Sequence, residues 1–184
     1  MAEALATTAR LILRDWRFSD RAAFLRHLNS PAVMRWLGGV QDQAKYEAAF
    51  ERLAAYARDH GHTFWIVERR ADGEVLGFCG LKRVNAEGAP NPGDFEIGWR
   101  LREDAWGQGF AKEAAIATLD LAFGRFAAPH VVALTVAGNR ASWGLMERLG
   151  MTRRADLDYE DPSYGPELNP TIVYRIDAAD WAAR

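Results

Sequence analysis

A strand, a glycine turn and an apolar helix follow one another directly between Asp94 and Phe126, and that succession leaves few folds open. Asp94–Leu101 alternates: Phe95, Ile97, Trp99 and Leu101 share one face, and Asp94, Glu96, Gly98 and Arg100 share the other. Trp106-Gly107-Gln108-Gly109-Phe110-Ala111 comes next, with small residues at alternate positions just where a helix starts. Such residues let backbone N–H groups approach an anion closely, and the helix dipole adds partial positive charge at that end. This is the chemistry of a phosphate cradle. The helix runs to about Phe126 with two apolar stripes, one through Phe110, Ala114, Ala117 and Leu121, the other through Ile116, Leu119, Phe123 and Phe126. It is expected to be buried over much of its circumference.

The elements on either side alternate between the two periods. Arg10–Trp16 reads as a first strand. Ser19-Asp20 gives a cap signal for a helix carrying Ala23, Phe24 and Leu28, and Pro31 opens a short second helix ending at Gly38-Gly39. Gln41–His60 is amphipathic, with Tyr46, Ala49, Phe50, Leu53, Ala54 and Ala57 on one face and Gly61 as its stop. His62–Arg69 and Val75–Val84 read as a hairpin turning at Asp72-Gly73, and Gly77 and Gly80 leave room for a close neighbour. Asn85–Gly93 is a loop by composition. Val131–Val136 has the β-branched character of an inner strand, Asn139 caps a helix to Leu149, Met151–Arg154 is a short strand, and Thr171–Ile176 is the last. No repeat or composition break divides the 184 residues, so residues 1–184 read as a single α/β domain.

Bulk properties narrow the partners. A formal net charge of −2 gives no reason to expect nucleic-acid binding. The amino terminus lacks the basic start and apolar core of a signal peptide, and no window reaches the length of a membrane span, so the expected setting is cytoplasmic and off the membrane. Cys79 is the one cysteine and reads as a buried, inert thiol in a strand. The four histidines form no metal pattern: His60 and His62 lack a carboxylate or thiolate at ligand spacing, and His27 and His130 stand alone.

Two phosphate-binding patterns fail on spacing. A P-loop needs Gly-x-x-x-x-Gly-Lys-Ser/Thr, which is absent. A dinucleotide fold would place Lys112 where its third glycine belongs, and the following strand ends Val136-Ala137-Gly138-Asn139 without the acid that holds a ribose. A third pattern matches. Trp106-Gly107-Gln108-Gly109-Phe110-Ala111 resembles the Gln/Arg-x-x-Gly-x-Gly/Ala signature of the GNAT acetyltransferases. Trp106 in its first position, followed by Lys112-Glu113-Ala114, resembles the RimJ/RimL-like branch. Leu11–Arg14, Glu96-Ile97-Gly98-Trp99, Asn139-x-x-Ser142 and Leu149-Gly150-Met151 fall in the family's order. The resemblance covers about residues 8 to 177.

That resemblance implies a twisted, mostly antiparallel sheet flanked by helices, and transfer of acetyl from acetyl-CoA to a primary amine by direct attack. It implies that amides of Gln108, Gly109, Phe110, Ala111 and Lys112 hold the pyrophosphate, and that amides near Gly98 and Trp99 polarise the thioester carbonyl. Glu96 is the expected general base or acceptor-orienting carboxylate. Ser142 is the expected contact and proton donor to the departing thiolate, and Asn139 can cap its helix while presenting its amide to CoA. Trp143 stands where this branch often has Asn. Trp36, with Leu37-Gly38-Gly39, falls where the family builds its acceptor wall, and core packing is an equal reading of Trp36. The acidic run Asp156–Asp161 could draw a cationic amine towards the site, and a solvated loop is the other reading of it. The acceptor is a protein N-terminus or a small molecule, and a homodimer is one option the sequence leaves open. An acyl-CoA-binding sensor without turnover is the competing function, against which the intact signature, Glu96 and Ser142 all argue.

Overall fold

The computed structural model describes residues 4–184; Met1 to Glu3, part of the stretch read for a targeting signal, lie outside the described residues. The elements in order are β1 (Ala4–Thr7), β2 (Leu11–Arg14), α1 (Asp20–His27), α2 (Pro31–Met34), α3 (Gln43–His60), β3 (Phe64–Arg69), β4 (Val75–Arg83), β5 (Phe95–Leu101), α4 (Phe110–Gly124), β6 (His130–Val136), α5 (Arg140–Arg148), β7 (Thr152–Arg153), β8 (Thr171–Asp177) and α6 (Ala178–Ala182). One eight-stranded sheet runs β1-β2-β3-β4-β5-β6-β8-β7, and every pairing is antiparallel except β5 with β6.

The alternation of β5 decides the layering. Phe95, Ile97 and Leu101 enter a core shared with Leu11, Leu13, Trp65, Leu81 and the buried face of α4, which includes Phe110, Ala114 and Leu119. The opposite face is covered in two halves. Phe24, Leu28, Met34, Tyr46 and Phe50 of α1 to α3 pack on Phe78. Tyr159, from the long connection before β8, packs on Val84, Val132 and Val173. The row occupied by Glu96 and Gly98 lies between these two covers.

Local chemistry accounts for the helix limits. Asp42 accepts from Lys45 N–H and Gly61 ends α3 in the left-handed region at φ 70°. Ser30 caps α2, whose helical part stops at Met34, before the expected Gly38-Gly39; the chain then closes by turns, with Gly39 N–H donating to Met34 O at 3.0 Å. The first strand is also shorter than expected. Trp16 leaves the sheet, donates its indole N–H to Phe64 O at 2.7 Å and packs edge-on against Phe24 and Phe50. The room at Gly77 and Gly80 is taken by neighbouring strands: a Cβ on Gly80 would stand 2.1 Å from Thr63 O.

Candidate active site

β5 and β6 pair at only two positions, Phe95 with Val131 and Glu96 with Val132. Beyond Glu96 they part, although β5 stays paired to β4 as far as Leu101, and β6 to β8 as far as Val136. A cleft therefore opens inside a continuous sheet, with Glu96 at its vertex. Val84 N–H donates to Asp94 O and Arg102 N–H to Leu76 O. Because an antiparallel ladder turns alternate residues to opposite edges, the N–H groups of Ile97 and Trp99 face the cleft. The Trp99 side chain is half-buried against the α4-side core.

Glu96 is buried at 9% exposure. It stands directly across from Lys82, whose Nζ lies 3.3 Å from Oε2. That contact is an ion pair without hydrogen-bond geometry, and Oε2 has no hydrogen-bond partner among the described residues. Burial pushes the carboxyl above its ordinary range and the lysine partly offsets it. Tyr159 lies close enough to feel the same charge; burial first, then Glu96, pushes its hydroxyl up to about 12.

The glycine turn follows at the open end. Gly107 and Gly109 take φ of 72° and 80°, a conformation costly for any residue with a Cβ. Trp106 donates its indole N–H to Leu101 O at 2.8 Å, tying the turn to the end of β5. Gln108 is anchored through Nε2 to Asp104 O at 2.6 Å. Gly109 is the N-cap of α4 and no side chain caps this helix, whereas Ser30, Asp42 and Asn139 cap α2, α3 and α5. The first amides of α4, those of Phe110, Ala111 and Lys112, are left as donors with the helix dipole behind them.

The start of α5 closes the other side of the cleft. Asn139 accepts from Ser142 N–H through Oδ1 at 3.4 Å, and its own carbonyl takes the same amide at 3.1 Å. Its Nδ2 has no hydrogen-bond partner among the described residues, so capping and ligand contact are compatible. Ser142 is half-buried and its hydroxyl has no hydrogen-bond partner among the described residues. Trp143 donates to Ala137 O at 3.0 Å, giving it a structural place in this turn.

Trp36 reaches across from the α2 turn onto Gly138, where a Cβ would stand 2.7 Å from the indole ring. A Cβ on Gly38 would stand 3.2 Å from the Tyr164 ring. The two covers of the Glu96 face thus touch each other through Gly38 and Tyr164. The acidic run is not simply a solvated loop. Arg153 engages Asp158, with Nη1 2.7 Å from Oδ1, Arg154 engages Asp156, and Tyr159 and Asp161 are buried.

A family model for the acetyltransferase (GNAT) domain matches residues 10–152. The chain is a member of the GNAT family of acetyltransferases. The protein YkkB of Bacillus subtilis is 32% identical over 151 residues, which cover 82% of this chain and 86% of that one. An acetyltransferase of Agrobacterium tumefaciens superposes with a TM-score of 0.78 at 29% identity, covering 93% and 92% of the two chains. The spermidine N-acetyltransferase of Vibrio cholerae, solved with CoA and spermine, superposes at 0.75 and 16% identity over 95% and 99%, a likeness of fold.

As a GNAT member the chain is an acetyl-CoA-dependent N-acetyltransferase, and the parted strands, the amides facing between them and the uncapped start of α4 fit that donor. Sequence reasoning missed Lys82 and Tyr159 beside Glu96, Tyr164 against Gly38, and Arg10 and Thr8 beside the glycine turn. Only Arg10 had a signal, since it adjoins the Leu11–Arg14 landmark. Among the described residues, no group of three or more His, Cys, Asp or Glu is arranged to hold a metal ion, and no helix is long and apolar enough to cross a membrane.

Proposed function

We propose that this GNAT enzyme transfers acetyl from acetyl-CoA to a small primary amine by direct attack in a ternary complex. The observation that carries the reading is Glu96 at the vertex of the cleft, buried, with one carboxylate oxygen lacking a hydrogen-bond partner. The amides of Gln108 to Lys112 hold the pyrophosphate, Asn139 lends its amide to CoA, and the Trp99 amide polarises the thioester carbonyl. Glu96 takes the proton from the ammonium, and its raised pKa makes it the stronger base. The amine nitrogen then bonds to the thioester carbon. As the carbon–sulfur bond breaks, Ser142 protonates the leaving thiolate, the acetylated nitrogen gives up its second proton to solvent to become a neutral amide, and Ser142 recovers its own proton from solvent. Holding both substrates in line supplies much of the rate.

The preference for a small amine rests on the contacts of Trp36 with Gly138 and of Gly38 with Tyr164, which close the acceptor side with aromatic rings. Trp106 and Glu113-Ala114 support membership of the RimJ/RimL-like branch, and the buried Cys79, its thiol pushed up to about 12 by burial, suits a reducing cytoplasm. The test is incubation with acetyl-CoA and two acceptor sets, small amines and peptides with free N-termini, followed by free-thiol release. Thiol release with small amines is the expected result. Release with peptides alone overturns the acceptor class, and tight acetyl-CoA binding with no release from either set favours a sensor.

A further inference from the structure

Arg10 lies behind the glycine turn, in a position that the pyrophosphate reading does not use. Its Nε donates to Glu113 Oε2 at 2.6 Å and its Nη1 to Gln108 O at 2.9 Å. Glu113, in the first turn of α4, takes two further bonds from the β1–β2 turn, and Thr8, which makes one of them, is itself held. Thr8 Oγ1 donates to Oε1 at 2.5 Å, Arg10 N–H donates to the same oxygen at 2.9 Å, and Thr8 Oγ1 in turn accepts Leu11 N–H at 2.9 Å. The guanidinium lies 4.4 Å over the Phe110 ring, and its Nη2 stands 3.4 Å from where a Cβ on Gly109 would be. One planar cation thus touches the residue before the turn's second glycine, the glycine itself, the first residue of α4 and the fourth.

A trans peptide points its C=O and its N–H in opposite directions. With Gln108 O bound to Arg10, the N–H of Gly109 is turned away from Arg10, towards the side where the amides of α4 are open. Among the described residues no other hydrogen bond holds that peptide plane; the other anchor of Gln108 runs through its side chain, to Asp104 O. A glycine at φ 80° next to it can rotate freely. We propose that Arg10, clamped by Glu113 and Thr8, is a positioning residue of the pyrophosphate cradle: it fixes the Gln108–Gly109 peptide so that the glycine amide is aimed at the anion before the donor arrives. This rests on the acetyl-CoA reading above.

Charge and geometry make opposite predictions for Glu113, and this separates them. As a carboxylate beside an anion site, Glu113 should repel CoA, so Glu113→Gln should tighten binding if only charge matters. If Glu113 holds Arg10 in place, the same substitution loosens the clamp and weakens binding. Arg10→Lys keeps the charge but cannot bridge Glu113 and Gln108 as a planar fork does.

The experiment measures CoA affinity of the full chain by calorimetry for the unmodified protein, Glu113→Gln, Arg10→Lys and Arg10→Ala. Turnover with S-acetylpantetheine, which lacks the pyrophosphate, is followed alongside. The expected result is CoA binding weaker by about tenfold or more in all three variants, with turnover of the truncated donor kept. Tighter binding by Glu113→Gln, unchanged affinity in Arg10→Lys, or equal loss with both donors each overturns the proposal. Because the readout is binding, absent acetyl transfer by the unmodified chain would refute the catalytic reading while this one is still decided.

Discussion

Lys82 and Glu96 face each other across β4 and β5, 3.3 Å apart, at the point where β5 and β6 separate. The lysine is the cation that holds the buried carboxyl down against the upward push of burial. Removing it leaves only the upward push. Lys82→Gln is therefore expected to move the acidic limb of the kcat/KM profile to higher pH, because Glu96 would lose its proton later. A pH titration of initial rates at fixed acetyl-CoA checks this, and a limb that stays in place or moves down removes Glu96 from the profile.

Glu96→Gln keeps the size of the side chain and removes the base. Turnover should fall by about 10²–10⁴-fold, the range general-base catalysis supplies. The acetyl-CoA dissociation constant should stay within about twofold, since the proposed CoA contacts, the amides of Gln108 to Lys112 and of Asn139, do not involve this side chain. The same variant should lose the acidic limb altogether. Unchanged turnover across the pH range would show that another group takes the proton.

Ser142→Ala removes a hydroxyl with no hydrogen-bond partner among the described residues, so the fold should be unaffected and the effect confined to chemistry. Turnover is expected to drop about tenfold or more, with the larger deficit at high pH, where solvent is a poorer proton source for the thiolate. Equal rates for mutant and parent would return Ser142 to a first-turn helix serine.

Much of this architecture is legible in local pattern, and the parts that are not share a physical reason. The Gln43–His60 helix announces itself through its apolar face and Gly61, and β5 through strict alternation, because both signals repeat within a few residues. β1 is Ala-Leu-Ala-Thr, half of it alanine, and it is held by pairing to β2. α6 has five residues, too few to show a period. At the site, Glu96, Ser142 and the glycine turn stand in motifs. Lys82, Arg10 and Tyr164 act through partners far away in the chain, and no local spacing encodes such pairs.

The base of α1 supplies a stability test away from the cleft. Arg14 and Asp20 are both buried and joined by two hydrogen bonds of 2.8 Å, and Glu68 takes Arg14 Nε at 2.6 Å. Asp20→Ala would remove two of the buried guanidinium's hydrogen bonds and leave its contact with Glu68 in place. A loss of roughly 3 kcal/mol is expected, the scale for breaking one partner of a buried pair. Urea denaturation measures it. A loss within about 0.5 kcal/mol, as at an ordinary surface site, would mean that water replaces the aspartate.

Trp36 joins the turn after α2 to the turn between β6 and α5, since its ring rests on Gly138, the residue before Asn139. If it forms the wall of the amine pocket, Trp36→Ala should raise the acceptor KM by about tenfold or more and leave the acetyl-CoA dissociation constant nearly unchanged. Widening the pocket should also relax selectivity, so that bulkier amines gain relative to small ones. Gly138→Ala attacks the same contact from the other side. Its methyl would stand 2.7 Å from the indole and push the ring outward, so it should reproduce the change in acceptor preference without deleting an aromatic group. If both variants instead weaken acetyl-CoA binding and leave acceptor selectivity alone, Trp36 serves the β6–α5 turn as packing and the amine is recognised elsewhere.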